Sequence, residues 1–228
     1  MIVHHPFFEK TRQDQKRFQV QLALVALLVL VAAGGLLFLA GLLPLLAVVV
    51  AVLLSIIAPF YDVPGMVRAG KLHYYSPFLL GETERNGKVV LHAGTLFDFY
   101  FLFPPSMPAP ERKRLALTGM IDGLLQLIER HQCSGRTDLR IRLTSYILNE
   151  RNAKRLGLET QPTDGLRSIL LYYNFFNLTA SYSLLHRRLR FPRVRSVQTF
   201  EGDIAKLVER KLQLEKFQAR LHRSRRRQ

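Results

Sequence analysis

The residue types best suited to chemistry lie in the stretch His92-Ala93-Gly94-Thr95-Leu96-Phe97-Asp98. A histidine beside a carboxylate can act as a general base with its orienting partner, because the carboxylate fixes the imidazole and stabilises its charged form. Glu150 is a further candidate acid or base, and Thr95, Asn149 and Arg151 are polar groups able to line a pocket with it. A second chemistry is anion binding. Arg187, Arg188, Arg190, Arg193 and Arg195 fall within nine residues, and the forked guanidinium matches phosphate and carboxylate oxygens. The chain has a single cysteine, Cys133, no His-Glu-x-x-His, no Gly-x-x-x-x-Gly-Lys-Ser/Thr and no Gly-x-Gly-x-x-Gly. The sequence therefore calls for no metal, no cofactor and no internal disulfide, as suits a reducing compartment.

Membrane glycerolipid acyltransferases place a His and an Asp with four residues between them. Here there are five, which in an extended chain changes the faces the two side chains occupy. A different resemblance covers residues 88–159. Strand, helix and strand followed by Asn149-Glu150-Arg151 and a short helix ending at Gly157 resembles the C-terminal half of the GNAT acetyltransferase superfamily. That resemblance implies coenzyme A, with its pyrophosphate held by backbone amides at a helix N-terminus. At the corresponding place this chain has four prolines between Pro104 and Pro110 and no glycine before Arg114. Arg112, Lys113 and Arg114 supply charge but cannot replace close backbone amides. The expectation is a GNAT-like order of elements without a working coenzyme A site.

The elements that must carry these residues divide the chain unevenly. Residues 22–60 contain no charge, and Ser55 is their one polar side chain. One straight helix of that length would reach about 58 Å, roughly twice a hydrocarbon core of about 30 Å. Gly41 and Pro44 offer a break, so residues 20–60 are expected to form a two-span helical hairpin, with Gly34 and Gly35 as a close helix contact. The run is too long for a signal peptide. Lys10, Arg12, Lys16 and Arg17 precede it and Arg68 and Lys71 follow it. The positive-inside rule then predicts an integral protein of an inner or plasma membrane, with both termini cytoplasmic and residues 1–19 as a basic lead.

Residues 65–228 are expected to form a cytoplasmic α+β domain in the order β-β-β-α-β-α-α-β-α. Residues 72–80 and 88–92 read as strands around an Asn86-Gly87 turn, and the aromatic run 95–103 reads as a third. Spacing predicts a helix over 111–131, a strand over 138–148 and helices over 149–156, 166–185 and 202–221. Residues 166–185 are expected to be buried or to rest on the membrane, because a third crossing would carry the arginine-rich C-terminus outside.

Lys+Arg 33 against Asp+Glu 17 gives a net charge of +16, so partners are expected to be anionic. The leading expectation is a membrane-anchored cytoplasmic binding or assembly module that contacts anionic lipid headgroups or an acidic partner. The alternatives are a membrane-tethered GNAT-like acyltransferase and a membrane protein that binds nucleic acid or another anionic polymer.

Overall fold

A computed structural model of the chain describes residues 4–136, 138–145, 150–161, 174–192 and 198–225. Helix α1 (Arg12–Leu39) starts at Thr11, whose Oγ1 accepts from the Asp14 amide at 3.1 Å. It is long and apolar enough to cross a membrane. It ends at Gly41, in the left-handed region at φ 69°, where the Leu42 amide reaches back to the Leu37 carbonyl at 2.8 Å. A 3-10 turn over Leu43–Leu45, with Pro44 in its first turn, leads into α2 (Leu46–Ile57), which packs along α1. The break therefore falls where glycine and proline place it. Gly34 faces Leu46, while Gly35 faces open space, so one of the two glycines makes the expected contact. Beyond Ala58 the path bends by 41° into α3 (Pro59–Arg68), whose Phe60 and Val63 are buried. Among the described residues α1 is the one helix long and apolar enough to cross by itself; the second leg qualifies only with α3 included.

The domain is built on a six-stranded sheet ordered β1-β2-β3-β4-β6-β5: β1 (Leu72–Ser76), β2 (Leu79–Glu82), β3 (Lys88–Ala93), β4 (Arg140–Ser145), β5 (Glu159–Gln161) and β6 (Gln198–Asp203). The neighbours β3 and β4 are parallel, and the other pairs are antiparallel. Arg85 and Lys88 exchange two backbone hydrogen bonds of 3.0 Å around Asn86 and Gly87, both at positive φ, which is the hairpin turn the dipeptide predicts.

Helix α4 (Leu96–Leu102) and helix α5 (Ala109–Cys133) connect β3 to β4. Gly119 and Gly123 let α5 lie against the turn between β1 and β2, since a Cβ at either would come within 2.4 Å of Phe78 or 2.5 Å of Leu79. After β4 come α6 (Glu150–Arg155), α7 (Phe175–His186), α8 (Ile204–Glu209) and α9 (Lys211–Arg225).

One face of the sheet is sealed: Leu79, Val89, Leu91, Ile141, Leu143 and Phe200 pack on Leu124, Leu127 and Ile128 of α5, with Ile204, Leu207 and Leu214. On the opposite face Leu72 and Leu80 are covered by Phe7, Phe60, Val63, Leu96 and Phe97. The rest of that face is polar, with Arg142 paired to Glu201, Arg140 3.5 Å from Asp203, and Thr144 3.2 Å from Thr199.

Several sequence expectations change. The run 95–103 is helix α4, not a strand, because Thr95 and Asp98 form a reciprocal capping box that overrides the β propensity of its aromatic residues. The expected strand over 72–80 is two strands with a turn between them. Gly202 belongs to β6, and the helix expected from 202 is split into α8 and α9. Residues 166–173, the first part of the expected helix over 166–185, lie outside the described residues.

Candidate membrane interface

The hairpin exposes apolar side chains along its length: Leu28, Leu36, Phe38 and Leu39 are 69%, 70%, 70% and 83% exposed. Surface of this kind is stable in hydrocarbon and costly in water. Its near end is closed by hydrogen bonds between α1 and α3. Gln19 Nε2 donates to the Phe60 carbonyl at 2.9 Å, and the Tyr61 hydroxyl donates to the Gln19 carbonyl at 2.6 Å. Arg68 donates to Gln15 Oε1 at 2.7 Å.

Residues 5–8 are not a free tail. They turn back under the domain, where Phe7 is buried beside Phe97 and the His5 ring stacks on Phe97 at 5.1 Å. The Phe7 amide donates to His5 Nδ1 at 3.2 Å, so in this arrangement Nε2 is the ring's donor nitrogen. That nitrogen lies 3.4 Å from Asp98 Oδ1. Asp98 is itself buried, and it accepts from the Tyr74 hydroxyl at 2.5 Å and from the Thr95 amide and hydroxyl at 2.6 and 2.8 Å. Burial first, and the neighbouring Asp98 carboxylate second, raise the Tyr74 pKa, so the phenol remains a donor.

The His92 and Asp98 pair is thus divided between two sites. His92 Nε2 lies 2.8 Å from Glu82 Oε1 on the half-exposed polar face, and it is in register with Thr144 of β4. Thr95 belongs to the buried knot around Asp98. Glu150 is exposed and pairs with Lys154 Nζ at 3.0 Å, Arg151 is exposed, and Asn149 lies outside the described residues. Among the described candidates, His92, Asp98 and Glu150 each engage a different partner. His5, Tyr74 and Glu82 are the partners sequence reasoning missed. Only the Thr-x-x-Asp spacing of 95–98 carried a local signal, that of a helix cap. A cavity of about 440 Å³ lies between α5, β4 and α9, lined by Met120, Leu124, Leu143, Leu214 and Phe217, with the exposed Lys216 and Arg220 beside them.

The arginine cluster begins at the end of α7. Arg187 closes the helix in the left-handed conformation at φ 53°. Ser183 Oγ then accepts from the Arg190 amide at 3.0 Å. Arg112 is 3% exposed and donates to the carbonyls of Leu184 at 2.6 Å, Met107 at 2.9 Å and Pro104 at 3.0 Å, so it clamps α7 to the proline-rich loop. Burial and then the Arg187 guanidinium lower the Arg112 pKa from its ordinary value.

No ion pair engages Arg187, Arg188 or Arg190 among the described residues; Arg193 and Arg195 lie outside them. Beside the exposed Arg187 and Arg188 stand Leu189, 73% exposed, and Phe191, 62% exposed, whose ring stacks parallel to Phe175 at 6.3 Å. Helix α7 packs on α4 and on α2 of the hairpin, with Ala180 and Leu184 against the cluster that holds Phe60. No protein-family model, curated protein or solved structure matches the chain.

Proposed function

We propose that the protein is a membrane-anchored cytoplasmic binding or assembly module, whose domain rests on anionic lipid headgroups through the turn after α7. The observation that carries this reading is the pairing, at the end of a helix packed on the hairpin, of exposed cations with exposed apolar side chains: Arg187 and Arg188 with Leu189 and Phe191. Cations near an anionic leaflet contribute about 1 kcal/mol each, and apolar side chains beside them suit the boundary between headgroups and acyl chains. Both ends of the hairpin return to the domain, which supports one side of the membrane for both. Their basic flanks favour the cytoplasm as that side. The sequence expectation of two spans is one form of such an anchor.

The test uses the full-length protein in lipid nanodiscs, with Cys133→Ser and an environment-sensitive fluorophore at Leu189→Cys. Anionic nanodiscs are expected to shift the emission to the blue relative to neutral ones, and Arg187→Gln with Arg188→Gln is expected to remove most of that shift. Identical spectra in both lipids would overturn headgroup contact and favour an acidic protein as the partner of this turn.

A second reading, a membrane-tethered transferase of GNAT-like build, draws support from the parallel pair β3 and β4 joined through α4 and α5. His92 with Glu82 would be its base. Arg112 is already engaged by four backbone carbonyls of the protein itself, which removes one of the cations expected to meet a pyrophosphate. Saturable binding of acetyl-coenzyme A at physiological salt, measured by calorimetry on the full chain, would favour this reading over the first.

A further inference from the structure

We propose that the hairpin is re-entrant: residues 38–45 end inside the hydrocarbon and do not emerge on the far side of the bilayer. The inference rests on the membrane-anchor reading and replaces two full spans with a dip from one face. Leg length is the first argument. The returning leg runs straight only over Leu43–Ile57 before the 41° bend. Those 15 residues reach about 22 Å, short of a core of about 30 Å. Beyond the bend, Phe60 and Val63 are buried with Leu72, Leu80 and Phe97 of the domain and do not lengthen the inserted part.

The second argument is the asymmetry of the two ends. Helices that cross a bilayer carry aromatic and charged anchors at both interfaces. Here the near end has Arg12, Lys16, Arg17, Gln19, Tyr61, Arg68 and Tyr100, whereas residues 38–45 contain no polar side chain at all. Phe38, Leu39, Leu42, Leu43 and Leu45 are all exposed there, which in an aqueous far compartment would form an apolar patch facing water.

The third argument is the backbone. A turn in hydrocarbon must satisfy its own polar groups. The amides of Ala40, Gly41, Leu42, Leu45 and Leu46 donate to carbonyls within the same turn, and Pro44 has no amide hydrogen to satisfy. The tip thus engages most of its own amide hydrogens and carries no side chain suited to water.

The experiment places the full-length Leu42→Cys variant in proteoliposomes with a membrane-impermeant maleimide on both sides of the membrane. Cys133 is exposed on the domain and serves as the internal positive control. The expected result is one label per chain in intact vesicles and two after detergent is added. In a Cys133→Ser background, a fluorophore at residue 42 should be quenched most by lipids brominated deep in the acyl chains and least by those brominated beside the glycerol. Leu39→Cys and Leu45→Cys report the same turn if Leu42→Cys fails to fold.

Two labels in intact vesicles, from protein that resists carbonate extraction, would overturn the re-entrant tip and leave the anchor standing as two spans. Release of the protein by carbonate would overturn the anchor and, with it, this inference.

Discussion

The hairpin and the knot around Asp98 invert each other. In the hairpin, leucines and phenylalanines lie open to their surroundings; in the knot, an aspartate and a histidine are 0% and 1% exposed. A single scale of inside and outside fails on both. The hairpin's outward leucines suit the hydrocarbon surroundings of the proposed anchor, where an exposed Leu costs little. Asp98 tolerates the interior because Tyr74 and Thr95 supply three donors to its two oxygens. What matters in each region is whether every group finds a matching partner, not how polar it is.

Breaking the knot is expected to have the largest effect. Asp98→Ala removes the acceptor for Tyr74, leaves the Thr95 amide unsatisfied and deletes the α4 cap, for a loss of about 3–4 kcal/mol. Thermal unfolding followed by circular dichroism in detergent should show it as a lower midpoint. Next comes a charge in the hairpin: Leu28→Arg sits in mid-helix on the exposed face of α1 and should weaken insertion by about 2.5–3.5 kcal/mol. The readout is a smaller carbonate-resistant fraction, with the domain's secondary structure kept.

Tyr74→Phe sharpens the comparison, since Asp98 keeps both Thr95 donors and loses one hydrogen bond. The expected cost is about 1–2 kcal/mol, and a loss equal to that of Asp98→Ala would show that the tyrosine, not the cap, holds the knot. Leu28→Ala is the smallest change, expected to alter stability by under about 0.5 kcal/mol because lipid replaces the lost methyl groups. A cost near the roughly 2–5 kcal/mol of a truncated core leucine would mean that Leu28 packs against protein.

Signals confined to a few neighbouring residues were legible in the sequence. Asn86-Gly87 specified its hairpin turn, and Gly41 with Pro44 specified the break in the apolar run, because both depend on backbone angles that few residues accept. Residues 95–103 were misread because five aromatic residues suggest a strand until the reciprocal bonds of Thr95 and Asp98 are counted. The site was less legible still. His5 meets Asp98 across 93 positions of sequence, and Glu82 meets His92 only after β2 and β3 pair. The 41° bend after Ile57 also escaped notice, since the apolar run continues through it to Phe60 and residues beyond 60 were not read as a helix.

The cluster that joins Phe7, Phe60, Val63, Leu72 and Phe97 draws side chains from both sides of the hairpin. The anchor is therefore held like a post set in a socket, gripped on entry and on return, rather than hung from a flexible leash. Phe60 takes part in both grips, bonded through its carbonyl to Gln19 and packed through its ring on Phe97. A domain on a loose tether would swivel, whereas one gripped in this way is expected to turn together with the hairpin, carrying the polar sheet face and the turn after α7 with it.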